Sequence, residues 1–149
     1  MSTHDLSTIE AWAGALLSRL EPAARRRVAR AVGTALRRRQ QQRIRAQRNP
    51  DDSAFAPRKK LRDQKGSIRR RAMFSKLGTA RHLRTRTLSD GVAVGFFGRV
   101  ARIARVHHYG LHDQVAQDGP RVKYPARRLV GLPPSDIVFI RDQLLHHLA

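Results

Sequence analysis

The apolar positions of the chain fall into blocks with two periods, one helical and one alternating. Ile9, Trp12, Leu16 and Leu20 recur at helical spacing, and Leu17 widens the stripe. Ser7-Thr8-Ile9-Glu10 reads as a capping box, in which the serine oxygen and the glutamate carboxylate accept from free backbone N–H groups. Proline suits a first helical turn, so Glu21-Pro22 predicts a second helix opening at Pro22. One side of that helix carries Val28, Val32, Ala35 and Leu36. Gln40-Gln41-Gln42-Arg43-Ile44 extends it with good helix formers until Asn49-Pro50 stops it. Ile68, Ala72, Met73, Phe74 and Leu77 predict a short helix closed by Gly78.

The period then changes. Leu83, Thr85 and Thr87 alternate with Arg84 and Arg86, and Val92, Val94 and Phe96 form a return strand across Ser89-Asp90-Gly91, a hairpin signature. Gly98 ends that strand. Val100, Ile103, Ala104 and His107 share one helical face, with Gly110 placed as a left-handed cap. Leu111 to Pro120 reads as a polar loop, and Val122 to Leu129 as a further strand interrupted by Pro125. After Pro133-Pro134, Ser135 is expected to cap a last helix, with Asp136 in its first turn and a buried stripe of Ile137, Ile140, Leu144 and Leu148.

This order predicts an α+β fold: a small, mostly antiparallel sheet, made of the hairpin plus a further strand, covered by helices and preceded by a helical, arginine-rich N-terminal region. A single domain is expected over 1–149. Within it lie a helical region at 1–48, a basic loop or arm at 51–65 and an α+β core at 68–149. So small a sheet leaves open edges that neighbouring subunits could cover.

Charge narrows the partners. Lys and Arg number 31 against 11 Asp and Glu, a formal net charge of +20 in 149 residues. That density belongs beside something negative. With 40% hydrophobic residues in defined blocks, the chain is no disordered polycation. Cysteine is absent, which removes disulfides, thiol catalysis and Cys-based zinc sites. His4, Asp5 and Glu10 spoil a signal-peptide layout, and the apolar run Ala11–Leu17 falls short of the roughly 20 residues of a bilayer span. The chain is therefore expected to be soluble and unprocessed.

Reactive constellations do not emerge. Adjacent helical residues point about 100° apart, so His107 and His108 are poorly placed to share a metal ion, and His112 lies beyond Gly110. One ring is expected to pack inward and the other to sit at a surface or interface. No HExxH pair, GxSxG elbow or phosphate loop is present. No enzyme activity, metal or cofactor is expected. Candidate contact residues for a negative partner are Arg25, Arg26, Arg30, Arg37, Arg38 and Arg43 on the second helix and Arg58, Lys59 and Lys60 in the arm. Few aromatics interleave with them, Phe55 and Phe74 being the nearest, so a base-stacking platform is unsupported. Composition leaves nucleic acid and an acidic protein surface equally open. Trp12 on the first helix is read as a core residue and not as a membrane anchor.

Four stretches carry a resemblance. They are Gln40-Gln41-Gln42-Arg43-Ile44, Met73-Phe74-Ser75-Lys76-Leu77, the run Gly98 to Leu111 ending in His107-His108-Tyr109-Gly110-Leu111, and Tyr124-Pro125-Ala126-Arg127-Arg128-Leu129-Val130-Gly131-Leu132. Their order and spacing resemble the tail completion proteins of contractile-tailed temperate bacteriophages, the phage virion morphogenesis family, through nearly the whole chain. Phe97 departs modestly from that pattern. The resemblance implies a non-enzymatic virion component, made in the host cytoplasm, that completes the head-proximal end of a tail for joining to a head. Its implied partners are copies of itself in a ring, hexameric in more distant relatives, together with tail tube, terminator or neck proteins and DNA in the channel. It also marks His107, His108, Tyr109, Gly110 and Arg127 as a family-motif turn. The alternative reading is an arginine-rich DNA- or RNA-binding protein.

Overall fold

A computed structural model describes residues 3–58 and 72–148. Four helices and four short strands follow in the order α1 (Thr3–Leu17), α2 (Pro22–Arg45), β1 (Leu83–Thr87), β2 (Val92–Phe96), α3 (Arg99–Tyr109), β3 (His112–Gln114), β4 (Arg121–Lys123) and α4 (Pro134–Leu148). The class is the expected α+β.

The long helix α2 organises the fold. Pro22 sits in its first turn, and its buried residues Val28, Val32, Gly33, Gln40 and Ile44 run down one face. That face packs on α4, β1 and β2. Two apolar clusters form along it. The larger joins Ile44, Phe55, Leu83, Ala104 and Leu129, with Met73, Phe74, Val94 and Phe96 packed against them. The smaller joins Val28, Val32 and Leu144 to Ala13, Leu17 and Leu20 of the N-terminal region. Gly33 makes the helix–hairpin approach possible, because a Cβ there would lie 2.5 Å from Val92 Cγ2.

Several expectations need correction. The first helix begins at Thr3, so Ser7-Thr8-Ile9-Glu10 lies inside it. No Pro or Gly interrupts residues 3–6, and a mid-helix serine costs only ~0.5 kcal/mol. Its inward residues are Ala13 and Leu17, joined by Leu20 just beyond it, while Trp12 stays 36% exposed. The short helix at 68–77 is replaced by turns over 73–79. Phe74 takes a positive φ of 62°, incompatible with helix, and Ile68 lies outside the described residues. The stretch opening the expected arm folds back, with Arg48 and Ala54 forming an antiparallel bridge that buries Phe55. Residues 59–65 of that arm lie outside the described residues.

The sheet is divided. The hairpin β1–β2 pairs Leu83 with Phe96 through Thr87 with Val92. The further strand does not join it. β4 is only Arg121–Lys123 and pairs with β3, in what was expected to be loop. Gly110, at φ 65°, reverses the chain at the end of α3, and Arg102 of α3 bonds Asp113 at 2.5 Å, which sets 112–114 beside 121–123. Pro125 then ends the ladder, having no N–H to donate. At the last helix, Ser135 lies within the first turn, and the Pro133 carbonyl accepts from the N–H groups of Asp136 and Ile137.

Candidate functional site

The four stretches that carry the resemblance meet in space. Gln40, buried on α2, links two of them. Its side-chain N–H group donates to the Gly131 carbonyl at 2.8 Å and to Asp136 Oδ2 at 3.0 Å, and its oxygen accepts from the Gly131 N–H at 3.2 Å. One turn on, Arg43 donates to Gln40 Oε1 at 2.7 Å and to the carbonyls of Leu129, Arg128 and Arg48 at 2.9, 3.1 and 2.8 Å. Arg39 completes the row with an Nε–Oδ1 bond of 2.6 Å to Asp136, its guanidinium 4.6 Å from the Phe139 ring centre. A helix face thus clasps the irregular segment 128–133 by its backbone and the first turn of α4 by the Asp136 carboxylate. Burial pushes the Arg43 guanidinium below its ordinary pKa, with Asp136 opposing.

A second set of contacts extends the clasp. Gln47, at φ 60°, donates to the Met73 carbonyl at 2.9 Å and accepts from the Met73 N–H at 2.8 Å. Phe74, His107 and Tyr124 stack edge-on in a row, with centroid spacings of 4.9 and 4.8 Å. The His107 carbonyl accepts from the Arg127 N–H at 2.7 Å. Gly110 presses on the same segment, a Cβ there falling 2.8 Å from the Ala126 nitrogen. Arg127 is itself buried and donates to the carbonyls of Ala56 and Pro57 at 2.7 and 2.9 Å. Burial, then the Arg58 charge, lowers its pKa.

The histidines differ in setting. His107 packs between aromatic rings, and burial, then Arg127, pushes its pKa down, with Asp113 opposing. His108 lies half-buried against the Tyr109 ring, and burial, then Arg128 and Arg43, lowers it as well. Among the described residues, no three side chains of metal-ligating type come together.

Beside the clasp opens a groove of about 1460 Å³. Ile9 and Trp12 of α1 form one wall, Ile137, Val138 and Arg141 of α4 another, and the 50–52 turn, Tyr109 and Arg128 close the rest. Tyr109 is 66% and Val138 48% exposed. Sequence reasoning took Trp12 for core and did not find this groove. Its walls come from four separated stretches, and the visible signal was only a tryptophan on a weakly polar helix.

The remaining candidates scatter. Arg25, Arg26, Arg30, Arg38 and Arg58 are exposed, and Arg37 is half-buried. Arg43 is spent on internal carbonyls, so it is no free contact group. Lys59 and Lys60 lie outside the described residues.

Motif residues that grip backbone hold the fold, and an open groove flanks them. The chain belongs to the phage virion morphogenesis family, which it matches over residues 4–149. It is 37% identical over 136 residues to tail completion protein S of Escherichia phage P2, covering 89% of this chain and 90% of that one. No solved structure matches it. Among the described residues no helix is long and apolar enough to cross a membrane.

Proposed function

We propose that this protein is a structural, non-enzymatic component that completes a phage tail at its head-proximal end and makes the tail competent to join a head. The likeness to tail completion protein S supports the tail-completion role. The observation that carries the reading is the groove beside the clasp. Trp12, Tyr109 and Val138 stand exposed there, while the polar motif residues around them are consumed within the fold. That arrangement offers a docking surface. Aromatic anchors in a recess are what protein partners bury. Arg128 and Arg141, both exposed on the groove, fit an acidic segment with apolar tips, supplied by a tail tube, terminator or neck protein and seated away from Asp51 and Asp52. Copies of the chain associate as a ring, hexameric in this proposal, through the open edges of β1–β2 and β3–β4, and act in the virion tail or neck.

Complementation tests it. Lysates of a phage lacking the protein should regain head–tail joining when the purified chain is added. A Trp12→Ser/Tyr109→Ser/Val138→Ser variant, altered only at exposed positions, should melt normally and fail to restore joining. Restoration by the triple variant would remove the groove from the account. Joining without any added chain would remove the whole reading. Light scattering on the purified protein, alone and with tails, should give a ring-sized particle.

A further inference from the structure

The hairpin β1–β2 has two unlike faces. Leu83, Val94 and Phe96 pack into the larger cluster, and Val92 meets Gly33 of α2. The opposite face carries Arg84 and Arg86, both exposed. Their register partners are Gly95 and Ala93, which are small, so the guanidiniums rise from a face of low relief. A Cβ at Gly95 would meet nothing within 4 Å, so the space above the ribbon is open. The two arginines lie about 7 Å apart along the strand.

Both guanidiniums are held in place, and among the described residues neither is neutralised. The Arg86 guanidinium lies 4.3 Å from the centre of the Phe97 ring. Arg84 Nε donates to the Arg81 carbonyl at 2.8 Å. Among the described residues the ion pairs are Arg39–Asp136 and Arg102–Asp113, so neither ribbon arginine has a carboxylate partner. Arg81 and Arg99 leave from the open end of the same hairpin and are exposed too. Stacking on an aromatic ring fixes the plane of a guanidinium and leaves its N–H edge free for a phosphate.

We propose that this outer face is a docking surface for duplex DNA, with Arg84 and Arg86 on the phosphate backbone. The inference rests on the tail-completion reading only for the identity of the nucleic acid. An acidic protein is the weaker fit, because among the described residues the exposed apolar side chain the hairpin offers is at its tip. Leu88 at the tip is exposed, and the Phe97 ring is already covered by Arg86. Phosphate contact requires no such anchor. A two-stranded ribbon fits the major groove of B-form DNA, whereas that of A-form RNA is too narrow.

The test is fluorescence anisotropy of a mixed-sequence DNA duplex with the full-length protein across a salt series. Arg84→Ala/Arg86→Ala should weaken binding about tenfold and lower the slope of log K against log salt by about 2, each phosphate no longer neutralised accounting for about 0.9. Arg27→Ala/Arg45→Ala, at exposed positions, removes equal charge from α2 and should change neither. Phe97→Leu keeps both charges and should weaken binding several-fold with the slope intact. Equal losses in the two double variants would overturn the proposal. So would an RNA duplex bound as tightly as DNA, or binding of polyglutamate but not of DNA. Wild-type protein that restores head–tail joining yet shows no ribbon-dependent DNA slope sinks this inference alone. Joining that needs no protein sinks the tail-completion reading alone.

Discussion

Asp136 shows how a single side chain is committed in this fold. It is 4% exposed and answers both Arg39 and Gln40. Removing one partner of a buried pair costs about 3–5 kcal/mol, and the part-exposed Arg39 places Asp136→Ala near the lower end. Urea denaturation should show that loss as a lower midpoint. His107 makes a pH prediction. Its folded pKa lies below the ordinary 6.5 because burial and Arg127 disfavour the imidazolium. His108 shifts the same way for the same first cause. The unfolded chain therefore binds more protons below about pH 6.5, and the histidines' stabilising contribution, complete above that pH, is lost as pH falls toward their folded values. Thermal melts should be flat from pH 7 to 8 and fall on acidification through pH 6, and His107→Gln should shrink the fall. Arg127→Lys should destabilise as well, because one ammonium cannot reproduce the planar fork that spans the Ala56 and Pro57 carbonyls.

At the scale of elements, Gly110 marks where α3 must stop. An alanine there would meet the left-handed φ, costing about 1–2 kcal/mol, as well as the Ala126 backbone at 2.8 Å. Gly110→Ala should lower Tm by about 5 °C or more. The cap, Pro22, the hairpin and the last helix were all legible, because each depends on local chemistry that adjacent residues declare. The divided sheet was not. Its second ladder depends on Arg102 meeting Asp113 and on the turn at Gly110, and three-residue strands carry almost no alternation. Phe74 misled for a related reason: its apolar neighbours suggested a helix, while its positive φ and its packing on His107 are set by tertiary context. Among the candidate site residues, Arg43 looked like a surface cation, and Arg127 was marked only by the resemblance, as part of the motif turn. Nothing in their neighbours' identities shows that distant carbonyls have no other donors. The motif turn was visible as a dense run, but its role in holding Ala126 and Arg127 needed the fold.

At the scale of the molecule, the hairpin's outer face and the groove are two distinct surfaces, the groove being lined by Arg128 and Arg141 as well as by apolar side chains. The hairpin's outer face bears guanidiniums with no carboxylate partner among the described residues, while exposed Trp12, Tyr109 and Val138 gather at the groove. Variants of one face should spare the other. The Trp12/Tyr109/Val138 triple variant should bind a DNA duplex with wild-type salt dependence. Arg39, Gln40 and Arg43 reach partners 85 to 97 residues away in the chain. Bonds spanning such distances form late, because the intervening loop must close first. A nascent chain on the ribosome therefore has no finished clasp until residues 128–136 have emerged, and its early arginine-rich helix waits without its counterpart. Timing follows from this: the subunit acquires its binding shape only near the end of translation, so premature association with cellular polyanions competes with maturation, and overproduction in slowly translating cells should yield aggregates rich in nucleic acid.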